Sequence, residues 1–248
     1  MRTYSDVFYK DNLDLKIFLP DEDAFSLFVY FHGGGLEHGS NAGCEVFAST
    51  LCKQGIGVAT VNYRKYHTAK FPDYLEDAAE AVAWVFKHIS EYGECKGIYA
   101  GGSSAGGYMS MMLQFDNKYL QKHGISPTDL AGFIHDAGQP TTHFNLIKYE
   151  YKLHGNRVII DEKAPIYHIG EAESYSPMLI IVSDDDMQNR YEQTQLLMST
   201  LKHFGHEDKV SYKLMHGKHC AYVYQKDDDG EGVFGKMVGE FIKTVEKK

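Results

Sequence analysis

Apolar residues recur along this chain with two alternating periods. Phe25-Ser-Leu-Phe-Val-Tyr-Phe31 is an almost unbroken apolar run, the pattern of a strand buried on both faces. Farther on, Leu75, Ala78, Ala79, Val82, Val85 and Phe86 fall at helical spacing, which predicts a long amphipathic helix from Pro72 to about Ile89 with the proline in its first turn. Looser alternation over residues 4–9 and 13–19 predicts an opening antiparallel pair, ended by Pro20-Asp-Glu-Asp23. The same reading gives strands at Gly57–Asn62, Gly97–Ala100, Ala131–His135, Met178–Val182 and Lys209–Leu214. Helices are predicted at Ala42–Lys53, Tyr108–Phe115, Tyr191–Phe204 and Gly235–Val245. Residues 138–176 keep neither period. Rich in Tyr and His and holding Pro140 and Pro165, they read as a partly helical insertion. Strands that alternate with helices predict an α/β class: a mainly parallel sheet flanked by helices, with residues 1–248 forming a single domain.

Composition narrows the field. A hydrophobic fraction of 43% with 24% charged residues is enough to fill a sizeable core. The net charge of −9 leaves no basic surplus to neutralise phosphates, so no nucleic-acid and no anionic-membrane partner is expected. No apolar run has signal-peptide or membrane-spanning length, and a cytoplasmic protein is expected. Cys44, Cys52, Cys95 and Cys220 are scattered without a C-x-x-C pair, as suits reduced thiols.

The candidate chemistry lies just after predicted strands, where ligands bind in parallel sheets. Gly102-Ser103-Ser104-Ala105-Gly106 fits G-x-S-x-G and puts Ser104 on a sharp strand-to-helix turn. Glycine two residues before and after the serine removes side chains that would collide there. A serine hydroxyl needs a base to take its proton and a carboxylate to orient that base. Asp184, Asp185 and Asp186 follow one strand, and His216 and His219 follow another. Asp186 is assigned as the acid, on the loop before the helix, with Asp184 or Asp185 as loop or capping groups. His219 is assigned as the base in preference to His216. A metal site built from His216, His219 and Cys220 lacks a second ligand cluster, so no metal is expected. His32-Gly-Gly-Gly35 offers close-approaching backbone donors; the N–H groups of Gly33, Gly34 and Ala105 are the expected oxyanion hole, each worth on the order of 3 kcal/mol of barrier. Taken singly, either glycine motif also reads as a plain loop; the succession of all these groups after strands favours chemistry.

With these residues in place the chain resembles the α/β-hydrolase superfamily, in particular the hormone-sensitive-lipase-like and related carboxylesterases. The resemblance rests on His32-Gly-Gly-Gly35, Val61-Asn-Tyr-Arg64, Phe71-Pro72 with Asp77 and Trp84, Gly102 to Gly107, and the Asp186 and His219 loops. It implies an α/β-hydrolase fold and structural roles for Arg64 and Asp77. Two features depart from the hormone-sensitive-lipase-like pattern: Ser103 stands where Asp is usual, and few residues precede the first long strand. The chain is accordingly more similar to acetyl-xylan and feruloyl-type esterases or to propeller-free prolyl-oligopeptidase-like hydrolases, with any lid drawn from 138–176. The implied activity is cofactor-independent cleavage of a small-molecule carboxylic ester, short-chain or carbohydrate-linked. A peptidase or amidase of the prolyl-oligopeptidase-like or arylformamidase type is one alternative. A non-catalytic ligand-binding protein of the same fold is another, although such proteins often lose a triad member and this chain keeps all three. Tyr149, Tyr151 and Tyr167 are candidates to stack on a sugar or aromatic ring.

Overall fold

Eight strands form one sheet in the computed structural model, which describes residues 1–247. In chain order they are β1 (Arg2–Lys10), β2 (Leu13–Leu19), β3 (Ala24–Phe31), β4 (Ile56–Val61), β5 (Glu94–Ser103), β6 (Gly132–Asp136), β7 (Met178–Asp185) and β8 (Val210–Lys218). Their spatial order is β1-β2-β4-β3-β5-β6-β7-β8; β2 pairs antiparallel with both β1 and β4, and every later contact is parallel. The helices are α1 (Glu45–Cys52), α2 (Asp73–His88), α3 (Ala105–Phe115), α4 (Lys118–Gln121), α5 (Phe144–Tyr149), α6 (Arg190–His203) and α7 (Val233–Glu246).

Strand β3 shows why an unbroken apolar run belongs at the sheet centre. Its alternating side chains supply both cores: Phe25, Leu27, Val29 and Phe31 join one cluster, while Phe28 and Tyr30 join the other. The first cluster is covered by α2 and α3 through Leu75, Val82, Met109 and Met112, and the second by α1 and α7 through Phe47, Leu51, Phe234 and Val238. Each such fully buried side chain contributes about 1.5–3 kcal/mol relative to exposure. Every residue of α3 is buried, so the helix needs no polar face.

The predicted elements all form, with shifted ends. Strand β5 runs through Gly101 and Gly102, which the sequence reading gives to a turn. These glycines serve close packing between strands: a Cβ on Gly101 would lie 2.4 Å from the Ile134 carbonyl oxygen, and one on Gly102 would lie 2.4 Å from that of Phe31. Helix α3 consequently begins at Ala105 rather than Tyr108, and α1 begins at Glu45 rather than Ala42. Strand β8 continues to Lys218, so His216 belongs to an edge strand and not to the loop expected for it. The insertion at 138–176 contains one short helix, α5, and a 3₁₀ turn at Pro165–His168. Arg64 grips the buried Asp77 of α2 with two hydrogen bonds, Nε to Oδ2 at 2.7 Å and Nη2 to Oδ1 at 2.8 Å, tying the loop after β4 to that helix. Among the described residues no helix is long and apolar enough to cross a membrane.

Candidate active site

Ser104 sits between β5 and α3 at φ 56°, ψ −112°. A left-handed φ is costly for a residue with a Cβ, on the order of 1–3 kcal/mol, and persists only where the surroundings enforce it. Here they do: the Ser104 N–H donates to the Asp136 carbonyl at 2.8 Å, and its carbonyl accepts from the Tyr108 N–H at 3.0 Å. Gly106 is required by space, since a Cβ there would lie 1.9 Å from the Phe31 carbonyl oxygen. The Ser104 hydroxyl meets His219 Nε2 at 2.8 Å, and His219 Nδ1 meets Asp186 Oδ1 at 2.5 Å.

Asp186 lies one residue beyond β7, its side chain fully buried. Burial is the largest influence on its carboxyl and works to raise the pKa. Hydrogen bonding and charge from His219, the Met187 N–H and the Arg190 guanidinium outweigh it and hold the group below its ordinary value. Asp184 and His216 form a second pair at 2.5 Å, but with the His216 side chain 87% exposed and no serine beside it. Asp185 is exposed at the end of the strand, opposite Lys218.

The His32–Gly35 loop passes directly over this turn. A Cβ on Gly33 would lie 3.3 Å from the Ser104 Cβ, so that backbone runs against the serine. Gly34 adopts φ 118°, and a Cβ on it would meet the His38 carbonyl oxygen at 2.3 Å. The Gly34 carbonyl accepts from the Glu37 and His38 N–H groups at 3.0 and 2.9 Å. Among the described residues the N–H groups of Gly33 and Gly34 donate to no protein acceptor. The N–H of Ala105, first residue of α3, is one of the donors that a helix start leaves free.

His32 anchors the loop. Its ring stacks on Tyr63 with centroids 4.3 Å apart, its Nδ1–H donates to the Gly33 carbonyl at 2.6 Å, and burial pushes its pKa down to about 4, so the imidazole stays neutral.

Several supporting residues carry no signal in the sequence. Asn145 of α5 donates through Nδ2 to the Gly35 carbonyl at 2.6 Å and to Glu37 Oε2 at 2.8 Å, clamping the glycine loop from the insertion. Ser103 accepts from the Tyr30 hydroxyl at 3.0 Å. Asp136 lies fully buried beneath Ser104 with the Tyr222 hydroxyl bound to it, and burial raises its pKa to about 6. The three tyrosines considered for ring stacking all lie on the insertion. Tyr149 bonds Glu37 through its hydroxyl, Tyr151 bonds Asp161 at 2.6 Å, and Tyr167 is exposed beside His168. The hydroxyls of the first two are committed to holding the insertion, which sequence position alone does not reveal.

Comparison with known proteins adds an independent line. The BD-FAE family model matches residues 13–147, just over half of the chain; the match includes Gly33, Gly34 and Ser104 and stops before Asp186 and His219. Probable carboxylesterase 1 of Arabidopsis thaliana is 28% identical over 130 residues, covering 44% of this chain and 41% of that protein. Carboxylic ester hydrolase LipN of Mycobacterium tuberculosis is 33% identical over 143 residues, covering 56% of this chain and 37% of that protein. The matches thus span less than half the length of these curated relatives. Among solved structures, an esterase from Thermogutta terrifontis superposes with a TM-score of 0.77 at 23% identity, covering 98% of this chain and 92% of that one. Esterase B of Lactobacillus rhamnosis gives 0.79 at 15% identity, covering 99% and 86%. At such identities these two show the fold alone, and it is the α/β-hydrolase fold.

Proposed function

This chain belongs to the BD-FAE family, and on that premise we propose that it is a serine hydrolase cleaving a carboxylic ester through an acyl-enzyme intermediate. The single observation that carries this reading is the unbroken relay from Asp186 through His219 to the Ser104 hydroxyl, at 2.5 and 2.8 Å.

Ser104 Oγ attacks the ester carbonyl carbon while His219 Nε2 takes the hydroxyl proton. Asp186 receives the Nδ1–H hydrogen bond, which fixes the ring orientation and offsets the imidazolium charge. The oxygen of the tetrahedral intermediate accepts from the N–H groups of Gly33, Gly34 and Ala105. Backbone donors held by the fold before charge develops need little reorganisation during the reaction. When the intermediate collapses, His219 returns its proton to the departing alcohol. Water then attacks the acyl-Ser104 ester, with His219 again as base. The natural acyl group, in this reading, is short or carbohydrate-linked. The names of the relatives, carboxylesterase and carboxylic ester hydrolase, favour ester over amide substrates.

Steady-state hydrolysis of an aryl acetate by Ser104→Ala, with the circular dichroism spectrum as the check on folding, tests the mechanism. We expect kcat/KM to fall at least about 10⁴-fold with the spectrum unchanged. Hydrolysis within tenfold of the wild type rejects Ser104 as nucleophile.

A further inference from the structure

A cavity of about 240 Å³ opens between the insertion and the loop after β7, lined by Gln139, Phe144, Arg157, Met187, Arg190 and Gln193 among others. Its walls are shared with the site. The Met187 N–H donates to Asp186 Oδ1 at 2.7 Å, and the Phe144 ring reaches to 3.4 Å from where a Cβ on Gly35 would stand. The cavity therefore borders both loops that complete the surroundings of Ser104.

Its charge is unusual for a chain carrying −9 overall. No residue lining it is acidic, and two are arginines. Arg190 is 3% exposed. Its guanidinium donates to the Ala137 carbonyl and, at 3.4 Å, to Gln139 Oε1, both uncharged acceptors. Among the described residues no carboxylate forms an ion pair with it; Asp186, whose charge does reach it, is already bonded to His219. Arg157 likewise has no side-chain partner among the described residues: only its backbone N–H is bonded, to His154. Gln193 is 9% exposed; its Oε1 accepts from Thr141 at 2.8 Å, while its Nε2 has no protein acceptor among the described residues and stays open to solvent at the cavity wall. A buried guanidinium whose nearest carboxylate is shared with an imidazole is under-compensated, and that is expensive. One bound anion would balance that charge and accept from the free Gln193 amide.

We infer that this cavity receives a carboxylate carried by the ester substrate, with Arg157 and Arg190 supplying the counter-charge and Gln193 a further donor. The inference rests on the ester-hydrolase reading above and narrows its substrate class to esters that bear a free acid. A planar carboxylate matches the forked donors of a guanidinium. A neutral sugar hydroxyl could use the same donors but would leave the Arg190 charge unbalanced.

Two measurements test it. The first is the ratio of kcat/KM for monoethyl succinate to that for ethyl butyrate, followed by pH-stat. We expect a ratio above one in the wild type, about tenfold lower in Arg157→Gln, and lower still in Arg157→Glu. Arg157 is exposed, so these changes spare the fold, whereas a change at Arg190 does not isolate binding from folding. A ratio at or below one, or one that Arg157→Gln leaves untouched, overturns the inference. The second measurement needs no turnover: calorimetric titration of Ser104→Ala with succinate, using xylose as the neutral control. Saturable succinate binding that Arg157→Glu weakens at least tenfold supports the anion site. Xylose binding in its place, or no succinate binding, overturns it. Succinate binding in a protein that hydrolyses no ester would sink the hydrolase reading and leave the anion site standing. Hydrolysis of neutral esters without succinate binding would do the reverse.

Discussion

Among the described residues two Asp–His pairs share nearly identical local geometry, and only one of them reaches a serine. Asp186–His219 and Asp184–His216 both bring Nδ1 to 2.5 Å from a carboxylate oxygen. The carboxylates are two residues apart in the chain and the imidazoles three. Asp184 and His216 lie within strands β7 and β8, the latter at the open edge of the sheet, and both side chains meet solvent. Asp186 and His219 each stand one residue past a strand end, where the chain turns back over the sheet; Cys220 at φ 53° makes that turn on the histidine side. The inner pair gains a serine at 2.8 Å and a carboxylate sealed from water. The exposed pair gains water, which weakens its charge interaction severalfold. Hydrogen-bond geometry alone therefore does not mark a catalytic pair; what the outer face of the imidazole meets does.

The largest effect that would sharpen this contrast is at Asp186. Asp186→Asn should lower kcat/KM for an aryl acetate about 10³- to 10⁴-fold, because an amide no longer selects the required tautomer or offsets the imidazolium. If activity stays within tenfold while Asp184→Asn abolishes it, the assignment of the two pairs is inverted. Next comes Gly106→Ala, which places a methyl group on the Phe31 carbonyl. We expect a loss of about 3 kcal/mol in urea unfolding, together with lost turnover, since the elbow that delivers Ser104 to the buried pair must shift. An unaltered unfolding midpoint would show that the turn is not held as tightly as described.

Acid provides a graded test of what burial does to imidazoles. Burial pushes His32 down to about 4 and both His135 and His143 down to about 3, each staying neutral in the folded protein. In the unfolded chain each takes a proton near pH 6.5, at about the ordinary histidine value. Between that value and the folded ones the unfolded state binds more protons, so stability falls as pH falls. Asp136, raised to about 6 by burial, acts oppositely over the lower part of the window. Three histidines against one carboxyl leave a net loss of about 2–3 kcal/mol per pH unit between about pH 6 and pH 4. The urea midpoint should therefore drop sharply from pH 7 to pH 5, and a flat dependence would mean that these rings are not buried neutral. The smallest expected effect is at the surface pair, where Asp184→Asn and His216→Ala should each leave kcat/KM within about twofold. A tenfold loss from either would remove the distinction drawn between the pairs.

Much of this was legible in the chain. Strand β3 and helix α2 announce themselves because periodicity is a local property: residues two or 3.6 positions apart face the same way whatever surrounds them. The nucleophile turn is legible for a related reason, since Gly102 and Gly106 also crowd each other within one turn, a Cβ on Gly102 lying 2.7 Å from the Gly106 carbonyl carbon. Gly101 reads as a turn residue because the sequence does not show the Ile134 carbonyl across the sheet. Asn145, Arg190 and Gln193 were invisible, being ordinary polar residues whose partners lie in other elements.

The amino-acid order by itself determined the alternation of strands and helices, the elbow at Ser104 and the short menu of acids and bases that could serve it. Only the folded chain decided which aspartate meets which histidine, and that His219 reaches a serine 115 residues away. Such a meeting depends on where strands end and how the sheet is wound, and a change of one residue in a strand's end exchanges a buried partner for water.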